Sequence, residues 1–119
     1  MTTKNVPKYT VIMENVLCIE RKASAAEISN NLGRKKKPFQ AEMERMQEFD
    51  HSFILCEFSL DDVIDFPKNS DIPKSKQKYV KVTGKYILKC LIEFQLWYNT
   101  KIIFCGSKYN SFLVANSIF

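Results

Sequence analysis

The chain has 119 residues, of which 45% are hydrophobic, and its formal net charge is +5. Nine Phe, five Tyr and one Trp supply large core side chains, which excludes a disordered protein and predicts a single domain over residues 1–119. No apolar run has the roughly 18 residues that a membrane span needs, and residues 1–5 lack the apolar centre of a signal peptide. We therefore expect an intracellular protein, cytoplasmic in a bacterial host or nuclear in a eukaryote.

The first half of the chain predicts a β-hairpin followed by two helices. The β-rich runs Tyr9–Met13 and Val16–Arg21 are separated by Glu14-Asn15, a pair typical of a tight turn. Ser24 and Glu27 have the spacing of a capping box, so a helix should begin there and end before the glycine at position 33. Helical spacing of apolar residues over 38–49 predicts the second helix.

The second half predicts strands that alternate with helices. The sequence indicates a buried strand over 52–58, a short helix over 59–66, a long polar and mobile loop over 67–78, a long helix over 79–98 that contains Gly84, a strand over 101–105 and a last helix over 107–119. This order favours an α/β fold. A hairpin that leads into it is the layout of a restriction-endonuclease-like three-layer sandwich, whose mixed sheet starts with a β-hairpin.

The tripeptide Glu20-Arg21-Lys22 ends the second β-rich run and carries the candidate chemistry. Side chains alternate along a strand, so Glu20 and Lys22 share one face. A carboxylate can bind a hard metal ion, and a neighbouring lysine can stabilise charge that develops on a phosphate. An acid, any residue and then lysine is therefore the minimal pattern of a metal-dependent nuclease, although three letters also occur by chance.

Two basic segments suit a polyanionic partner such as nucleic acid. Such runs are more often solvated loops than binding surfaces, but two of them flanking a candidate metal site favour DNA binding. The first segment consists of Arg34, Lys35, Lys36 and Lys37, and the second of Lys74, Lys76, Lys78, Lys81 and Lys85.

In this context the chain resembles the XPF-type structure-specific endonucleases of excision repair, in particular small phage and prophage members of the PD-(D/E)XK nuclease superfamily. The resemblance covers about residues 7–119. Its matching segments are Tyr9-Thr10-Val11, Leu17-Cys18-Ile19-Glu20-Arg21-Lys22, the helix with Phe39, Glu42 and Glu44, Ile54-Leu55-Cys56-Glu57, and Ile102-Ile103-Phe104-Cys105-Gly106-Ser107.

The resemblance implies an endonuclease that uses Mg²⁺ or Mn²⁺ to cut branched, flapped or nicked DNA. Carried over residue by residue, it implies catalytic roles for Glu20, Arg21 and Lys22, with Glu20 as a metal ligand. It also implies DNA as the partner and self-association into a homodimer.

The chain departs from the family motif in three places. Lys8 stands where the family has a metal-binding aspartate, and Ala26 stands where the motif ends in aspartate. The family's first strand would lie before residue 7. Glu14 and Glu27 are the acids available as replacement ligands, although a turn explains Glu14, and a helix cap explains Glu27, at least as well.

Two alternatives remain open at this point. A catalytically degenerate nuclease-like domain that acts as a DNA- or protein-binding scaffold would account for Lys8. An unrelated α/β module would leave Glu20 and Lys22 at a solvated strand end.

Overall fold

The computed structural model describes residues 10–13 and 16–118, with only the backbone pairing of residues 10–13. The predicted α/β class is confirmed, whereas the predicted turn at 14–15 lies outside the described residues. None of the helices in the described part is long and apolar enough to cross a membrane. The strands are β1 (Thr10–Met13), β2 (Leu17–Lys22), β3 (His51–Cys56) and β4 (Lys101–Phe104), and the helices are α1 (Ala25–Leu32), α2 (Lys36–Met46), α3 (Leu60–Asp65), α4 (Lys74–Gln77), α5 (Gly84–Trp97) and α6 (Lys108–Ile118).

The strands pair in the order β1-β2-β3-β4. Strands β2, β3 and β4 are parallel, and β1 runs antiparallel to β2 with Thr10 opposite Glu20. The parallel register places Lys22 beside Cys56. The carboxyl ends of the parallel strands therefore meet at one edge of the sheet, where open α/β proteins commonly bind their ligands.

Both faces of the sheet are covered by helices. Cys18, Ile54 and Cys56 face a core formed with α1, α2, α3 and α5, whereas Leu17, Ile19 and Leu55 pack against Ala115 of α6. Burying an aliphatic side chain of this size contributes about 1.5–3 kcal/mol. The apolar residues of β2 and β3 thus pack on both sides of the sheet, which fixes the direction in which their polar neighbours point.

A helix cap brings α1 directly after β2. Ser24 Oγ accepts a hydrogen bond from the Glu27 backbone N–H at 3.1 Å, as the sequence predicts. Because only two residues separate Lys22 from α1, the chain turns back at once and α2 passes over the same face of the sheet as Lys22.

Two predicted elements are wrong in their extent. The long helix begins at Gly84 instead of residue 79. This glycine lies against α3, where a Cβ atom would be 1.8 Å from the Val63 carbonyl oxygen. The predicted loop over 67–78 contains the short helix α4. Helix α4 is four residues long and has no buried residue, so it leaves no apolar period in the sequence.

Candidate active site

Glu20 and Lys22 lie near the carboxyl end of β2 and are buried, with exposed fractions of 9% and 3%. The interpretation that they form a solvated strand end is therefore wrong. Charged groups that leave water need compensating partners, because the cost of an unpaired buried charge is several kcal/mol. Those partners identify the site.

Helix α2 supplies the contacts of Lys22. The lysine Nζ lies 3.1 Å from Glu42 Oε1 and 5.1 Å from the centroid of the Phe39 ring. Phe39 and Glu42 are three residues apart and thus lie on the same side of the helix. The Glu42 side chain remains 23% exposed, so this corner of the site is open to solvent.

The Cys18 thiol lies near both Glu20 and Glu42. Burial raises the pKa of Cys18 to about 11, and the negative charges of Glu20 and Glu42 both contribute to the rise. Cys18, Glu20 and Lys22 are each two residues apart on β2 and therefore lie on the same face of the sheet, the face that α2 covers. Two carboxylates and one ammonium group therefore share this face of the sheet.

Arg21 points to the opposite face. Its guanidinium forms an ion pair with Glu57, and both side chains are buried. The Glu57 backbone N–H donates to the Lys22 carbonyl at 2.8 Å. Arg21 therefore ties the end of β2 to the residue that follows β3, and it lies away from Glu20 and Lys22.

Glu27 contacts the backbone where α1 begins. Its Oε1 accepts a hydrogen bond from the Ala23 N–H at 2.7 Å. Burial raises the pKa of Cys56 to about 12, with the nearby Cys105 and Glu27 adding to the rise and Lys22 opposing it. Glu27 thus lies near the site with one oxygen engaged in the helix cap, while Glu14 lies outside the described residues.

The carboxylates of Glu20 and Glu42 suit a divalent ion that needs only one or two protein ligands. Over residues 10–13 and 16–118, no three acidic, histidine or cysteine side chains converge as a complete metal cage. Mg²⁺, however, often takes only one or two carboxylates and completes its shell with water and substrate phosphate. Glu42 Oε1 is buried, and its partner within the described residues is the Lys22 ammonium at 3.1 Å. A carboxylate has about four lone-pair sites, so Glu42 can also coordinate an ion beside Lys22.

Glu42 is the site residue that reasoning from the sequence missed. In the sequence it appeared only as part of a helix that matches the family pattern. Its three-residue spacing from Phe39 places it on the buried side of α2, and an acid on the apolar side of a helix is the one signal that points to it.

The two basic segments meet at a groove between α1 and residues 79–82. Arg34 of the first segment and Lys81 of the second both line this groove, which has a volume of about 580 Å³. Lys36 instead lines a separate groove between α2 and α5. The other predicted DNA-binding residues, Lys35, Lys37, Lys74, Lys76 and Lys78, are exposed around these segments.

One comparison with known proteins gives a match. A family model, the ERCC4 domain, matches residues 1–116, which is nearly the whole chain. No curated protein and no solved structure matches the chain.

Proposed function

Because the chain belongs to the ERCC4 domain family, a family of structure-specific nucleases, we propose that it is a metal-dependent endonuclease that cuts branched, flapped or nicked DNA. The observation that carries the proposal is the grouping of Glu20, Lys22 and Glu42 on one face at the carboxyl end of β2. Helices on both faces of the sheet suit a restriction-endonuclease-like sandwich that spans the chain as one domain.

Glu20 and Glu42 are the proposed metal ligands. Nucleases of this family generally depend on a divalent metal ion, and we assign Mg²⁺ or Mn²⁺ to this site. Bound there, the ion would neutralise charge on the scissile phosphate and lower the pKa of a coordinated water. Glu42, which reaches the site from α2, compensates for the lysine and alanine that replace the family's aspartates at positions 8 and 26.

Lys22 has two roles in this proposal. Without a bound substrate it neutralises Glu42, with its Nζ 3.1 Å from Glu42 Oε1. When a phosphodiester approaches, its ammonium group can turn towards the phosphate and stabilise the additional negative charge of the transition state, a contribution that is usually large in enzymes. The face of the Phe39 ring holds the ammonium group in place by a cation–π contact, with Nζ 5.1 Å from the ring centroid.

The remaining predicted site residues receive other roles. Arg21 positions β2 through its ion pair with Glu57 and is not placed among the reacting groups. Glu27 caps α1. Arg34 to Lys37 and the second basic segment hold the DNA backbone, whereas the role of Glu14 as a ligand, the homodimer and a phage origin stay predictions.

A second candidate is a degenerate domain that binds DNA or a protein as a scaffold. The specific observation in its favour is the burial of Lys22, whose exposed fraction is 3% and whose ammonium already has a carboxylate partner. In a scaffold this ion pair would serve only to attach α2 to the sheet. Lys8 in place of an acid also favours it.

Cleavage of labelled flap, fork and duplex DNA with Mg²⁺ or Mn²⁺ decides between the two. The wild-type chain should cut flap or fork DNA, and Glu20→Gln should slow cutting by about 100-fold or more, because several kcal/mol of transition-state stabilisation depend on the ion. DNA binding should change less than about twofold, because the basic segments supply it.

Glu48→Gln is the matched control, since Glu48 is an exposed glutamate just after α2. It should cut at the wild-type rate. Salt-sensitive DNA binding by the wild type without metal-dependent cutting would reject the endonuclease and favour the scaffold.

A further inference from the structure

The groove between α1 and residues 79–82 is held in a defined shape by direct contacts. Ser29 Oγ donates a hydrogen bond to the Val82 carbonyl at 2.8 Å across the groove floor. Gly33 packs against Val82, since a Cβ atom there would be in van der Waals contact with Val82 Cγ2 at 3.4 Å. Arg34 and Lys81, which are distant in sequence, are thus brought to one surface by packing.

The charges of this groove suit a phosphate backbone. Its lining contains Arg34 and Lys81 and no carboxylate. Within residues 16–118, neither cation takes part in an ion pair. Both are therefore available to neutralise phosphates, and this is the contact that dominates the affinity of proteins for nucleic acids.

A neighbouring cleft carries negative charge and limits where the phosphate backbone of a nucleic acid can lie. It opens at the carboxyl ends of β2 and β3 and is lined by Glu57, Asp62 and Asp71. Phe66 and Ile72 line both depressions, so the two are adjacent. Phe66 and Ile72 thus form the boundary between the two. A phosphate backbone near this boundary is attracted to the groove of Arg34 and Lys81 and repelled from the acidic cleft.

Tyr79 adds an aromatic surface to the same groove. The residue is 70% exposed although it is large and apolar, and it belongs to the groove lining. The Lys78 ammonium lies 5.3 Å from the centroid of its ring. An exposed ring among cations is the arrangement on which unpaired bases stack in single-strand binding proteins, whereas the bases of a duplex are already stacked on each other.

We propose that this groove binds single-stranded DNA, with phosphates at Arg34 and Lys81 and one unpaired base stacked on Tyr79. The inference rests on the proposed function in taking DNA as the partner. It deepens that function by assigning the unpaired arm of a flap or fork, and not its duplex part, to this surface.

The test is fluorescence anisotropy of the full chain with labelled single-stranded DNA, RNA of the same length and duplex DNA, in buffer with EDTA so that no cleavage occurs. Tyr79→Leu should weaken binding of single-stranded DNA roughly 10-fold, the effect expected from loss of one base–aromatic stack. Tyr79→Phe should bind within about twofold of the wild type, because the ring is retained. Duplex binding by Tyr79→Leu should also stay within about twofold, because duplex bases are not free to stack.

Tyr109→Leu is the matched control, since Tyr109 is 68% exposed on α6 and lies outside the groove lining. It should not alter binding. Unchanged single-strand binding by Tyr79→Leu, an equal loss with duplex DNA, or tighter binding of RNA than of DNA would each overturn the inference. The endonuclease proposal is tested separately by cutting, since a wild type that fails to cut but shows the Tyr79 dependence would lose only that proposal.

Discussion

At the scale of single residues, Arg21 and Lys22 are adjacent in sequence and yet have partners on opposite faces of the sheet. Lys22 meets Glu42 from α2, and Arg21 meets Glu57 after β3. Each pair offsets the desolvation of two charges, so neither pair adds much net stability compared with an apolar core. Removing one partner is different, because it leaves the other charge buried and unpaired.

Glu57→Ala should therefore destabilise the fold by about 3–5 kcal/mol, the cost typical of breaking a buried ion pair from one side. Urea unfolding at neutral pH measures this free energy. Glu48→Ala, which truncates an exposed glutamate, should change it by less than about 0.5 kcal/mol.

The double variant Arg21→Met, Glu57→Leu separates charge from packing. It should regain most of the lost stability, because no charge remains buried. If the free energy of unfolding of Glu57→Ala were within about 1 kcal/mol of the wild-type value, the buried Arg21 guanidinium would not depend on the Glu57 carboxylate. That result would contradict the prediction.

The same scale shows why part of the site could be predicted. Glu20 and Lys22 follow from alternation along a strand, which is a local rule. Glu42 could not be found in this way, since its position beside Lys22 depends on how α2 packs over the sheet. Sequence pattern gave the helix and its buried side, but not the residue of the sheet that each side chain would meet.

At the scale of elements, local capping signals placed the helices better than periodicity did. Ser59 and Asp62 begin α3 with reciprocal hydrogen bonds of 3.1 and 2.9 Å, and Ser24 begins α1 at the predicted place. Periodicity extended the long helix back to residue 79, because apolar spacing continues through a segment that instead packs against α1. Thr83, a residue type favoured at helix N-caps, stands directly before α5, but its side chain forms no capping hydrogen bond.

Gly84→Ala tests the contact between α3 and α5. The new Cβ atom would lie 1.8 Å from the Val63 carbonyl oxygen, so α3 and α5 would have to separate. We expect a loss of about 1–3 kcal/mol in the free energy of unfolding, as for other overpacked sites, despite the better helix propensity of alanine.

Lys85→Ala is the control for this prediction, since the next residue of α5 is exposed. Thermal unfolding followed by circular dichroism would compare the two. An equal or higher melting temperature for Gly84→Ala would show that the close approach of α3 and α5 is not required.

At the scale of the whole molecule, the net charge of +5 predicted a polyanionic partner but not the surface that would meet it. The fold brings Arg34 and Lys81 into one groove and gathers Glu57, Asp62 and Asp71 in the adjacent cleft. The acidic cleft lies at the carboxyl ends of the strands. Composition cannot predict this separation of positive and negative surfaces, because the separation arises from the packing of distant segments.

In the proposed site Glu20 and Glu42 together hold one divalent ion. A Mn²⁺ titration followed by electron paramagnetic resonance measures this binding. The full chain should remove one free Mn²⁺ ion per molecule from solution. Glu42→Gln should weaken this binding by about 10-fold or more, while Glu48→Gln should leave it unchanged. A wild-type chain that binds no Mn²⁺, or a Glu42→Gln variant that binds it equally well, would contradict the claim.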